Sequence, residues 1–130
     1  MAIDARIRRL VRERAGLRCE YCQLSEKHSP VARLQVEHIV PRKHGGVDAE
    51  GNLALACIDC NLRKGSNLTG LDPDSGNITP LFHPRRQSWT EHFRWDGVRV
   101  LGLTPEGRTT IRVLELNSPD RVQLRLALAS

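Results

Sequence analysis

The sequence predicts an α+β fold: a strand, a glycine-rich loop, a second strand and a short helix, preceded by a basic helix and followed by a hairpin and two helices. Three observations predict it. Two CxxC pairs, Cys19/Cys22 and Cys57/Cys60, bracket the centre of the chain. Between them, Leu34, Val36 and His38 alternate with Gln35 and Glu37, which is the period of a strand, and Leu53-Ala54-Leu55-Ala56-Cys57 reads as its return. Downstream, Asp96-Gly97 stands between two arms of alternating apolar residues, a strong short-range hairpin signal.

Taken in order, Asp4 caps a helix in which Ile7, Leu10, Val11 and Ala15 share one side and which Gly16 ends. Arg6, Arg8, Arg9, Arg12 and Arg14 cover its other faces, as a solvated surface or as phosphate contacts. Cys19-Glu20-Tyr21-Cys22 then leads through a polar loop containing Pro30 to the first strand, which Pro41 stops. Gly45, Gly46 and Gly51 supply the loop's backbone freedom, and Ile58 to Ser66 forms a short helix closed by Gly65. Leu68 to Pro84, rich in Gly, Pro, Asp and Asn, reads as an ordered loop or linker. Thr104 before Pro105 and Ser118 before Pro119 predict two helices, about 105–116 and 119–129. The expected organisation is a basic N-terminal helix at 1–17, a core at 18–67 and an extension at 68–130 packed on it, one compact domain in all.

The net charge is +5, and residues 1–67 hold 12 Lys and Arg against 8 Asp and Glu while residues 68–130 hold 8 against 7. The basic excess therefore travels with the first half, and nucleic acid is a reasonable partner. At 39% hydrophobic and 27% charged residues, the chain is too apolar to be wholly disordered. No stretch approaches membrane-spanning length and no leader is signalled, so a cytoplasmic protein without a membrane partner is expected.

The four cysteines are the only ones in the chain. A two-residue gap lets both sulfurs of a pair reach one ion from a tight turn, and two such turns complete a tetrahedral four-thiolate site, for which Zn2+ is the expected occupant. Nothing points to an oxidising compartment, which disfavours disulfides, and neither pair sits in a strand-to-helix redox context. Four thiolates leave no open position for substrate, so any catalysis requires a second ion or none.

The stretch between the pairs carries residues suited to that second role. Glu37 and Asn61 offer the carboxylate and amide oxygens that a hard cation such as Mg2+ accepts. His38 has the intrinsic pKa to take a proton from water attacking a phosphodiester. Arg42, Lys43, Arg63 and Lys64 flank these residues and are expected to contact nucleic acid. Trp89, Phe93 and Trp95 are expected to pack the C-terminal hairpin, and His28, His83 and His92 are given no function.

"VEHIVPRKHGG", "GNLALACIDCN" and "NLRKG" resemble the motif of the HNH endonucleases, the ββα-metal or His-Me finger nucleases. The CxxC pairs resemble that family's zinc-binding, four-cysteine branch. The resemblance covers residues 18–67. It implies metal-dependent hydrolysis of DNA, or alternatively RNA, with Glu37 as a metal ligand, His38 as general base, Asn52 fixing the loop and the histidine's orientation, and Asn61 as the second metal ligand. Two positions depart from the commonest pattern, since Glu37 replaces the usual Asp and Asn61 stands as in the HNN variants. The competing expectation is a non-catalytic zinc module that binds nucleic acid or another protein.

Overall fold

Asp4 starts the first helix by accepting a 2.7 Å hydrogen bond from the Arg6 backbone N–H, and α1 runs over Ala5–Arg14. The computed structural model describes residues 3–29 and 32–129, so Pro30, expected in the loop before the first strand, lies outside the described residues. Contacts sort the chain into two units, Met1–Ser66 with His83–Arg86 and Asn67–Phe82 with Gln87–Ser130, and each is described by itself. The segment expected as one extension, 68–130, is thus divided between them.

In the first unit, β1 (Gln35–His38) pairs antiparallel with β2 (Leu53–Ala56), with Glu37 opposite Ala54 and His38 opposite Leu53. All four residues of β2 are buried, so this strand packs on both faces; burying Leu53 and Leu55 contributes about 1.5–3 kcal/mol each. Helix α2 (Ile58–Lys64) follows at once, capped by Cys57, whose sulfur accepts from the Cys60 N–H at 3.4 Å. The strand, loop, strand and helix expected from the sequence are therefore present in that order.

Two arginines of α1 tie it to this core. Arg12 grips both oxygens of Glu26 at 2.8 Å, and Arg14 donates to the Glu50 and Leu53 carbonyls at 2.6 Å. Of the expected apolar face, Val11 is fully buried whereas Leu10 stays exposed. In the loop, Gly45 takes φ +89°, and a Cβ on Gly46 would overlap the Val40 carbonyl oxygen. The Gly-Gly pair is therefore a steric requirement as well as a flexible joint. The segment His83–Arg86 contributes an ion pair between Arg85 and Glu20, and His83 Nδ1 accepts from the Arg85 and Arg86 N–H groups at 3.2 Å.

The second unit holds two hairpins and three helices among the described residues. The stretch expected as loop or linker contains the first hairpin, β3 (Thr69–Leu71) with β4 (Ile78–Pro80). Its strands are too short to show a period, and the turn between them is built by Asp72, which accepts from Asp74 N–H and Ser75 Oγ and binds Arg108 at 2.9 and 3.0 Å. After α3 (Trp89–His92), β5 (Phe93–Asp96) and β6 (Arg99–Gly102) form the expected second hairpin. Its two-residue loop is Gly97-Val98, one residue beyond Asp96-Gly97, with Gly97 at φ +61°.

Thr104 caps α4 (Pro105–Val113), and Pro119 opens α5 (Pro119–Ala129). Helix α4 stops three residues earlier than expected, and Glu115 sits at φ +49°. Trp89 stacks on Phe93 and Trp95 with ring centroids 5.0 and 5.8 Å apart, the packing role expected of all three. Trp95 is nonetheless 41% exposed, with the Arg125 guanidinium 5.2 Å from its ring.

Candidate metal centre and active site

The first CxxC turn precedes β1 and the second joins β2 to α2, and folding brings the four sulfurs to within 4.8 Å of one another in a buried cluster. Four sulfurs at about 2.3 Å from a tetrahedral zinc stand about 3.8 Å apart. Cys22 and Cys57 are 3.6 Å apart, far beyond a disulfide bond, and all four cysteines are free. Burial pushes the Cys19 and Cys60 thiols well above their ordinary range, while hydrogen bonds, those from Cys19 foremost, hold Cys22 and Cys57 below theirs. Four buried sulfurs cannot all ionise without a dication among them, so the donor set fits structural zinc.

Adjacent residues on β1 face different partners. His38, 19% exposed, directs Nε2 to Asp48 Oδ1 at 2.7 Å. A carboxylate there accepts the Nε2 proton, which leaves Nδ1 as the basic nitrogen of the neutral ring. Nδ1 makes no hydrogen bond among the described residues. Arg42 donates to both oxygens of Asp48, sharing Oδ1 with His38, at 3.0 to 3.1 Å. The hydrogen bond from His38, and next those from Arg42, hold the Asp48 carboxyl below its usual range.

Asn52 pins the loop that carries Asp48. Its Oδ1 accepts from the Val40 N–H, and its Nδ2 donates to the Val40 and Val47 carbonyls, all at 2.9 Å. One side chain thus closes both ends of the turn between His38 and Asp48.

Glu37 is only 6% exposed, where the alternation with Val36 would turn it outward. Tyr21 donates to one of its oxygens at 2.5 Å and Lys64 to the other at 3.2 Å. Burial raises its carboxyl above the ordinary value, against the pull of the Lys64 charge and the Tyr21 hydrogen bond. Burial, and next the Glu37 charge, push the Tyr21 hydroxyl well above its ordinary range.

Lys64 corrects the sequence expectation directly. Instead of facing nucleic acid it is 2% exposed, its ammonium held by Glu37 and by the His38 and Ile39 carbonyls at 3.1 and 2.9 Å. The reason is geometric: the last turn of α2 lies against the end of β1, and a buried carboxylate there requires a cation. Arg42, expected on nucleic acid, is engaged with Asp48, while Lys43 and Arg63 are exposed.

Asn61, at the fourth position of α2, donates to Gln35 at 2.6 Å, and no hydrogen bond links it to Glu37 or His38 among the described residues. Its Oδ1 remains an acceptor, and each Glu37 oxygen retains a second lone pair. The carboxylate and amide oxygens therefore suit a hard divalent cation chemically, although Lys64 already supplies Glu37 with positive charge.

Three participants escaped the sequence reading. Asp48 stands ten residues from His38 in a loop with no motif value, Tyr21 hides between two cysteines, and His83–Arg86 lies far off in sequence. Burial, followed by the Arg86 charge, lowers the His83 pKa. The sequence assigns no chemistry to the run of His, Pro and two Arg.

Residues 19–67 are a domain of the HNH endonuclease family, whose family model matches that span. The wider chain is similar to the Septu protein PtuB of Bacillus thuringiensis, with 27% identity over 114 residues that cover 85% of this chain. The chain spans 40% of that relative's length. No solved structure matches. Among the described residues, no helix is long and apolar enough to cross a membrane.

Proposed function

We propose that the protein is a metal-dependent endonuclease that hydrolyses DNA phosphodiesters, with residues 18–67 as its core. The observation that carries this reading is the His38 imidazole, bonded through Nε2 to Asp48 and open at Nδ1, within an HNH domain. Nδ1 takes a proton from the attacking water; Asp48 fixes the tautomer and steadies the imidazolium that results. Asn52 holds the turn so that the ring keeps its aim. Lys43 and Arg63 meet the phosphates on either side of the scissile bond. Glu37 and Asn61 would hold a Mg2+-class ion, which when bound supplies Lewis-acid stabilisation of the developing negative charge.

One observation favours a second reading, a non-catalytic zinc-stabilised nucleic-acid-binding module: the ammonium of Lys64 and the hydroxyl of Tyr21 already engage both oxygens of Glu37. Supercoiled plasmid incubated with the purified protein and Mg2+ or Mn2+ separates the two. The nuclease reading expects nicking that EDTA abolishes, and intact plasmid with retained DNA binding would support the binding module.

A further inference from the structure

An open groove of about 650 Å³ in the first unit is lined by Arg8 and Arg12 of α1, by Ala32, Arg33 and Leu34, by Gln35 and Val36 of β1, and by Asn61 of α2. We propose that it seats the phosphodiester backbone of a DNA strand, with Arg8 and Arg33 as the contacts; this rests on the nuclease reading and deepens it.

Charge selects the occupant. Arg8 and Arg12 stand four residues apart, on one face of α1. Arg12 is occupied by Glu26 and acts as a wall. The Arg8 guanidinium makes no hydrogen bond or ion pair among the described residues. Arg33 is 77% exposed and reaches only to 3.6 Å from the same Glu26. Three guanidinium groups against one carboxylate leave a surplus of two positive charges over an open trough. Exposed guanidinium groups along an open channel fit a polyanion that releases counterions on binding. Guanidinium groups grip phosphate oxygens in pairs, which a solvated lysine does less well.

Position ties the groove to the chemistry. Asn61 forms part of its wall and is bonded to Gln35, two residues before Glu37. A strand lying over Arg8 and Arg33 is thereby led to the proposed metal ligands. Arg6 and Arg9, on the same helix, are exposed and do not line the groove, so they carry equal charge elsewhere.

The test is fluorescence anisotropy of a labelled DNA oligonucleotide with the zinc-loaded full chain, in buffer without chelator or added Mg2+ or Mn2+, across a salt series. Arg8→Ala/Arg33→Ala should weaken binding about tenfold or more and flatten the salt dependence by close to two phosphate contacts. Arg6→Ala/Arg9→Ala should change binding less than about threefold, and Arg8→Lys/Arg33→Lys should restore the salt dependence but only part of the affinity. Equal weakening by the two alanine pairs, or none from Arg8 and Arg33, overturns the groove. Tighter binding of the same sequence as RNA through the same two residues overturns DNA as the occupant. Because binding is read without added Mg2+ or Mn2+, groove-dependent binding without scission would sink only the nuclease reading, and scission with binding indifferent to Arg8 and Arg33 would sink only the groove.

Discussion

Asp48 decides which nitrogen of His38 is available. With its carboxylate at Nε2, the ring is held as the tautomer whose Nδ1 can accept a proton, and Arg42 keeps that carboxylate ionised. Asp48→Asn keeps the shape and removes the charge. We expect kcat to fall roughly 10- to 100-fold with KM little changed, the pattern of a group that acts through its neighbour. An unchanged kcat would reduce Asp48 to a loop residue. Lys64 makes a different demand, since it neutralises a carboxylate that is only 6% exposed. Lys64→Met should cost about 3–5 kcal/mol in urea unfolding because Glu37 is left buried without its cation, and Glu37→Gln should restore part of the loss in the double variant. A loss under about 1 kcal/mol would show that Glu37 simply takes up a proton.

A zinc ion on the four-cysteine cluster would hold β1, β2 and α2 together although the sheet has only two strands, too few to be stable on their own. Cys57 is both a sulfur of the cluster and the cap of α2, so its loss removes two restraints at once. Cys57→Ser should purify without its equivalent of zinc and show a broadened, early thermal transition by circular dichroism; a zinc-free variant that melts like the wild type would refute the structural role. At this scale the sequence was most readable where local rules coincide with tertiary demands. Asp4 and Thr104 both cap as their residue types prefer, and Gly46 sits where only glycine fits. It was least readable where a partner is distant. The β3–β4 hairpin depends on Asp72 meeting Arg108, 36 residues on, and Glu37 is turned inward by Tyr21 and Lys64 against the alternation of its own strand.

For the whole molecule, the cysteine spacing and the motif between the pairs made the HNH domain legible, while the second unit carries no comparable signature. What the first unit adds to the motif is a set of charges with assigned tasks. Arg12, Arg14 and Lys64 hold structure, Arg42 holds Asp48, and Arg8 and Arg33 are left facing the groove. A count of basic residues could not have made that division, because it depends on which carboxylates and carbonyls the fold brings within reach. On the nuclease reading proposed above, this arrangement cuts DNA with His38 as the base. The most direct test is plasmid nicking by His38→Ala beside the wild type, with bound zinc and folding measured on both. The wild type should nick in a Mg2+- or Mn2+-dependent way, and a variant that keeps its zinc and its melting temperature should not nick at all. Undiminished nicking by the folded variant would contradict it.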